Sequence, residues 1–119
     1  MTPFEFTLAL QAGAPFDFED TIAVITDNFN YMPTRFTNGL SETAVVNEAG
    51  KNEGSCKIFA FAQMMQLDQA TTLKCFGRFY QDVLNTPEAN DHLNIRNFIK
   101  DGWAGIQFDG TALTAKTPA

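Results

Sequence analysis

The sequence has few of the residues that most often build metal or redox sites. It contains two cysteines and one histidine among 119 residues. Cys56 and Cys75 fit no zinc or redox spacing, and a single histidine cannot complete a site with them. We therefore predict neither a metal nor a cofactor. We interpret both cysteines as reduced, packed thiols with no disulfide between them, and a regulatory or catalytic thiol is the alternative.

Basic residues and long apolar runs are also scarce. Eight basic residues face fourteen acidic ones, the net charge is −6, and there is no basic tract. This charge disfavours binding to nucleic acid or to anionic lipid. The apolar runs fall far short of the roughly 20 residues that cross a bilayer, and no apolar signal segment follows a basic N-terminus. We expect a soluble, unprocessed, cytoplasmic protein without nucleic-acid or membrane partners, and the oligomeric state stays open.

The sequence is rich in apolar bulk, with twelve phenylalanines and four methionines. A chain of this length can bury roughly two-thirds of the surface that its unfolded form exposes, which is enough for a core that needs no metal ion or disulfide bond. There is no internal repeat, linker or low-complexity stretch. We predict one compact domain over residues 1–119, with a frayed tail from about residue 116.

Apolar periodicity predicts an α+β fold of about five helices packed with a small antiparallel sheet. The first segment, TPFEFTLALQAG (2–13), fits both a strand and a helix, and we favour a helix that stops at Gly13. A second helix begins at Asp17 and cannot continue past Pro33. A third has Ile58, Phe61, Ala62 and Met65 on one face, and two more cover about 69–85 and 87–100. Asp17 can cap the second helix, whose apolar stripe ends at Phe29. Asn38-Gly39 predicts a hairpin within 34–47, and Asp109-Gly110 predicts a second one near the C-terminus.

The stretch NEAGKNEGSCKIFAFA, residues 47–62, raises the question of an anion site. Its glycines and lysine depart from the spacing of a phosphate loop, so it supports no nucleotide site. The simpler interpretation is a helix start, capped by Asn52 or Ser55, that Gly54 allows the chain to enter. Lys57 falls within the apolar face of that helix and in its first turn, where the helix dipole disfavours a cation. We expect either an ion pair with a nearby acid or a polar cleft beside the helix N-terminus.

The only histidine, His92, projects within the apolar sector of the last predicted helix, and Arg96 follows four residues later. A lone buried histidine is most often a hydrogen-bonded core residue. The functional alternative is a His92/Arg96 pair that holds an anionic group.

Two stretches, VNEAGKNEGSCKIFAFA (46–62) and HLNIRNFIKDGWAGIQF (92–108), resemble the signature blocks of the HopJ type III effector family. FTNG and FYQDVLNTPEANDH stand in the expected order, so the resemblance covers the chain from about Asp17. It implies a role as a bacterial protein injected into plant cells, and it implies no reaction. The first forty residues contain no serine, and residues 4–10 are patterned to fold, unlike serine-rich, disordered export signals.

The two signature blocks supply the candidate site. The leading hypothesis is a non-enzymatic interaction or small-ligand-binding protein, whose partner is an unknown protein or a small anionic ligand. We expect Glu48, Lys57, His92 and Arg96 to surround one polar pocket next to Trp103. The full set of candidate ligand-binding residues is Asn47, Glu48, Ser55, Lys57, His92, Arg96 and Trp103.

Two other functions remain open. One is a type III secreted effector that acts in a host cell. The other is a thiol-dependent enzyme with Cys56 as nucleophile and His92 as base, which requires that the two side chains meet in space.

Overall fold

The computed structural model describes residues 1–116 and has the predicted α+β architecture. The predicted tail lies outside the described residues from position 117 onward. Six α-helices occur within the described part of the chain, followed by a short 3-10 helix at Gly102–Gly105. No helix within residues 1–116 combines the length and hydropathy that a membrane crossing requires. The helices are α1 (Pro3–Gln11), α2 (Phe18–Asn28), α3 (Glu53–Met64), α4 (Gln69–Lys74), α5 (Arg78–Asn85) and α6 (Leu93–Asp101).

Five short strands form two small antiparallel sheets in the described part of the chain. β1 pairs with β5, and β2 lies between β3 and β4. The strands are β1 (Phe29–Tyr31), β2 (Phe36–Asn38), β3 (Val45–Asn47), β4 (Ile106–Phe108) and β5 (Leu113–Ala115).

The first predicted hairpin is confirmed, and the second is wrong. β2 and β3 pair in the register Phe36↔Asn47, although a six-residue loop joins them instead of a two-residue turn. β4 and β5 belong to different sheets. Asp109 binds the Arg35 guanidinium at 2.7 Å and donates its backbone N–H to the Arg35 carbonyl. These contacts extend the β2–β4 edge instead of closing a turn at residue 110.

Three predicted helix boundaries are corrected by the structure. The second helix starts after Asp17, whose side chain accepts a hydrogen bond from the Phe18 N–H as predicted, but it ends at Asn28, so Phe29 begins a strand. The helix predicted over 69–85 is split into α4 and α5 at Gly77. Gly77 has φ +56° and ψ −127°, a backbone conformation that is open mainly to glycine.

The last helix begins at Leu93, not near residue 87. His92 is its N-cap residue, with φ +52° and ψ +47°. It therefore does not project from the apolar face of the helix, as the sequence pattern predicts. Residues 86–91 form an irregular loop instead, which Arg96 holds through hydrogen bonds to Thr86 and Asp91.

The α3 helix lies at the centre of the core. Ile58, Phe59, Phe61 and Ala62 on this helix are fully buried. The Phe59 ring contacts four aromatic rings, with centroid distances of 5.0 to 6.3 Å. The middle of α3 is therefore fixed in the core by the Phe59 contacts, and its N-terminal end, at Asn52 and Glu53, is exposed at the surface. The four rings around Phe59 are those of Phe36, Phe76, Phe98 and Trp103.

Candidate functional site

A cleft of about 510 Å³ lies between the start of α3 and the start of α6. The two signature stretches meet here, although residues 63–91 separate them in sequence. Residues of α2, β3 and the segment from α4 to α5 complete the walls. The lining residues are Phe18, Val45, Asn52, Gly54, Ser55, Phe76, Phe79, Asn90, Asp91, His92, Leu93, Asn94 and Ile95.

One wall of the cleft is aromatic. Phe18 and Phe79 meet edge to face with ring centroids 5.1 Å apart, and the Phe79 ring lies 5.5 Å from the His92 imidazole. Gly54 allows Phe18 to lie against α3, because a Cβ at this position would be 2.7 Å from the Phe18 Cζ. The wall can therefore contact the flat, apolar part of a ligand.

Two helix starts that lack side-chain caps also line the cleft, next to the aromatic wall. The N-cap residues Asn52 and His92 both have left-handed backbones, with φ of +50° and +52°. Neither side chain accepts a hydrogen bond from the first turn of its helix. First-turn N–H groups carry partial positive charge and form hydrogen bonds readily with anions. The prediction that Asn52 or Ser55 caps α3 is therefore wrong: Asn52 occupies the cap position, but its amide binds elsewhere.

The base of the cleft is a network of four asparagines, three of which are buried. The amides of Asn47 and Asn94 form a reciprocal pair, with Nδ2···Oδ1 distances of 3.1 and 2.9 Å. Asn52 donates to the Asn47 Oδ1 at 2.7 Å. Asn38 donates to both the backbone carbonyl and the Oδ1 of Asn94, at 2.8 and 3.0 Å. The network therefore joins β2, β3, the start of α3 and the start of α6.

The imidazole of His92 is 29% exposed and lies near two carboxylates. Its Nε2 is 3.8 Å from Asp91 and 3.9 Å from Asp82. Arg96 binds Asp91 at 2.8 Å, and this hydrogen bond lowers the pKa of the Asp91 carboxyl. Because Arg96 partly neutralises Asp91, the acidic side of the cleft repels an anion less than the count of carboxylates suggests. Within residues 1–116, no group of three His, Cys, Asp or Glu side chains is arranged to hold a metal ion.

Three of the seven sequence-predicted site residues belong to the cleft or to its base. Ser55 and His92 line the cleft, and Asn47 lies beneath it in the amide network. Asn47 is 1% exposed, so it acts on the cleft through Asn52 and Asn94.

The other predicted site residues make different contacts and are not among the residues that line the cleft. Glu48 pairs with Arg35 at 3.4 Å. The Lys57 ammonium lies 4.7 Å from the centre of the Tyr31 ring. This cation–π contact, and not an ion pair with Glu48 or Glu53, is the partner that the structure gives to Lys57.

Arg96 and Trp103 have structural contacts as well. Arg96 binds the loop before α6 through Thr86 and Asp91. The Trp103 indole donates to the Leu67 carbonyl at 2.9 Å and packs against Phe98. Neither residue lies on the wall that contains His92. The arrangement of Glu48, Lys57, His92 and Arg96 around one pocket next to Trp103 is therefore not the arrangement of this cleft.

The environment of Cys56 does not favour thiol chemistry. Cys56 and Cys75 are both free, and both are buried. The Cys56 thiol is directed to the Thr34 carbonyl at 3.5 Å, and burial raises its pKa. A nucleophilic cysteine needs a lowered pKa and access to substrate. Since His92 contacts Phe79 and two carboxylates, the geometry gives no support to a Cys56–His92 pair.

Sequence reasoning missed the residues that shape the cleft. The sequence pattern assigns Asn38 only to a turn, yet this residue is fully buried. Asn94 directly precedes the core residue Ile95, and an asparagine beside a helical apolar stripe is a signal of a buried polar contact. The aromatic wall could not be predicted from the sequence, because Phe18, Phe76 and Phe79 follow the same periodicity as ordinary core residues.

Comparison with known proteins agrees with this architecture. The family model of the HopJ type III effector protein matches residues 4–113, and the chain belongs to this family. A solved structure, described as "Crystal structure of unknown function protein VPA0580", is 55% identical to this chain, with a TM-score of 0.86. The match covers 94% of this chain and 92% of that chain. No curated protein matches the chain.

Proposed function

We propose that this HopJ family member is a non-enzymatic protein that binds a small anionic ligand with an aromatic or apolar body. The observation that carries the proposal is the cleft, which two helix starts without side-chain caps and an aromatic wall line together. Ser55 and His92 contact the ligand, and Asn47 supports the site from below. Its volume of about 510 Å³ falls within the usual range for small-molecule sites.

The chemistry of the two sides determines the class of ligand. The first-turn N–H groups of α3 and α6 bind an anionic group through hydrogen bonds and the helix dipoles. The Ser55 hydroxyl and the imidazole add donors at the same end. Phe18 and Phe79 contact a planar body by stacking or edge contacts. A phosphate or carboxylate on an aromatic ring therefore binds more tightly than the inorganic ion alone.

The test uses the single histidine and the single tryptophan as reporters. Phenyl phosphate and inorganic phosphate are titrated while NMR follows the His92 ring protons and the Trp103 indole proton. Trp103 does not line the cleft, so it serves as a remote reference. We expect saturable shifts at His92 with phenyl phosphate, weaker shifts with phosphate, and little change at Trp103. Equal shifts at both residues, or none at His92, would contradict the proposal.

A charge substitution separates binding from folding. Ser55→Asp places a carboxylate in the first turn of α3, where the dipole favours it by about 0.3–1 kcal/mol. The same charge repels a bound anion. We expect a fold as stable as the wild type and loss of phenyl phosphate binding. Ser41→Asp adds the same charge beside Lys100, which contacts Ser41 at 3.1 Å and lies outside the cleft, so it should leave binding unchanged.

The second candidate function is that of an effector secreted into a host cell, which the family description favours. Against export, α1 buries Phe6 and Leu10 in the core, so the N-terminal segment is a folded part of the domain. We propose cytoplasmic residence and expect that residues 1–30, fused to a reporter, do not direct type III-dependent translocation. Reporter activity in host cells that disappears in a secretion-deficient strain would favour the effector function instead.

A further inference from the structure

The amide pair of Asn47 and Asn94 joins two segments that are 47 residues apart in sequence. Asn47 ends β3, and Asn94 lies in the first turn of α6. Both side chains are at least nine-tenths buried, with exposures of 1% and 7%. The pair therefore connects β3 to the start of α6 through the interior of the protein.

An amide pair constrains geometry in a way that an apolar contact does not. Two antiparallel N–H···O bonds determine both the distance and the relative orientation of the two side chains. Apolar side chains of similar size would fill the same space and permit sliding. Buried polar groups must be paired, so any displacement of α6 relative to β3 breaks hydrogen bonds that water does not replace.

The pair is also connected to the start of α3. The Asn52 amide donates to the Asn47 Oδ1, which in turn accepts from Asn94. The Asn52 side chain makes this contact and no hydrogen bond to the first turn of α3. The same network therefore joins the start of α3 to the start of α6.

We propose that the Asn47–Asn94 pair is the positioning element of the cleft. It holds the start of α3 and the start of α6 at the separation and orientation that a ligand requires. Its effect on affinity rests on the proposed ligand-binding function, whereas its effect on helix orientation does not.

The test replaces both partners with the apolar side chain closest in shape, in the variant Asn47→Leu/Asn94→Leu. Asn38 keeps its bond to the backbone carbonyl of residue 94 but loses its bond to the Asn94 Oδ1, and Asn52 is exposed to water, so the variant leaves one buried N–H of Asn38 unpaired. Residual dipolar couplings of the backbone amides of α3 and α6 report the angle between the helices without any ligand. Phenyl phosphate titration reports the affinity.

We expect a folded variant in which the couplings of α3 and α6 no longer fit the wild-type arrangement. We also expect an affinity for phenyl phosphate about tenfold weaker, since the site loses its preorganisation. Asn97→Leu is the matched control. Asn97 is a buried asparagine on the same helix that donates to the carbonyls of Asn38 and Thr43, and it does not line the cleft. The Asn97→Leu variant should have a lower free energy of unfolding, but the angle between α3 and α6 and the affinity for phenyl phosphate should stay unchanged.

Each outcome decides the inference. Wild-type couplings in the double variant would overturn it and make the pair an ordinary structural contact, as would an equal change in Asn97→Leu. If wild-type protein does not bind phenyl phosphate, the proposed function fails, and the couplings still decide the positioning role. If the double variant does not fold, Asn94→Asp keeps the size and the acceptor and removes one bond of the pair, and the same measurements apply with a smaller expected change.

Discussion

Gly54→Ala tests whether the aromatic wall of the cleft depends on the absence of a side chain at position 54. The added Cβ would lie 2.7 Å from the Phe18 Cζ and 3.2 Å from its Cε1. A normal carbon–carbon contact is about 3.5–4.0 Å, so the ring must move by about 1 Å. Because Phe18 lines the cleft and contacts Phe79, this displacement changes the wall.

The expected effect on stability is small because two contributions oppose each other. Overpacking costs about 1–3 kcal/mol. Alanine in place of glycine stabilises a helix by up to about 1 kcal/mol, and Gly54 is the second residue of α3. The difference leaves a destabilisation of between about zero and 3 kcal/mol. We therefore expect a folded variant. Its affinity for phenyl phosphate should be clearly weaker than that of the wild type, although its free energy of unfolding changes little.

The assay combines urea unfolding with the His92 NMR titration. Gly110→Ala is the matched control, because its Cβ would meet only the Thr34 Cγ2 at an ordinary distance of 3.6 Å. A Gly54→Ala variant with an unchanged Phe18 environment, unchanged affinity and increased stability would refute the reasoning. Loss of affinity in both glycine variants would also refute it, because the effect would then not depend on the cleft.

Three further predictions follow from other parts of the structure. Gly77→Ala should destabilise the protein by about 3 kcal/mol or more in urea unfolding, since its Cβ would lie 2.7 Å from the Asp17 Cα at a strained positive φ; a loss below about 1 kcal/mol would contradict this reasoning. Cys56 and Cys75 are buried, and burial raises the pKa of Cys75 to about 12, so a thiol reagent should label both only after denaturation, and mass spectrometry of unreduced protein should find no bridged peptide. The backbone N–H groups of Arg78 and Phe18 lower the pKa of the Asp17 carboxyl in the folded protein. The stability that this carboxylate contributes is present above its unfolded pKa and is lost as the pH falls through its folded pKa. Asp17→Asn should therefore reduce the drop in melting temperature upon acidification, and a drop identical to that of the wild type would contradict this reasoning.

Local signals in the sequence predicted the class of fold. Asp17 and the acidic residues after it gave the start of α2, because capping depends on side chains a few residues apart. The β2–β3 hairpin also followed from local residues. The second hairpin was wrong because Asp109 forms its hydrogen bond and ion pair with Arg35, which is distant in sequence.

Breaks in helices depended on tertiary contacts. Gly77 splits the predicted fourth helix where the chain packs against the N-cap of α2. A single glycine inside a helical pattern costs only about 1 kcal/mol, so the pattern alone favours a continuous helix. His92 is displaced from the helix face for a similar reason, since Arg96 holds the preceding loop in an irregular conformation.

By itself, the sequence determined the composition of the core, the α+β class and the two stretches that hold the cleft, because these depend on side-chain type and local periodicity. Only the tertiary structure decided which residues of those stretches meet. Asn47 forms hydrogen bonds with Asn94, whereas Lys57 forms a cation–π contact with Tyr31 and Glu48 forms an ion pair with Arg35. The physical reason is that hydrogen bonds and charge contacts act over a few ångströms, and the partners are brought within that range by packing of distant elements around Phe59.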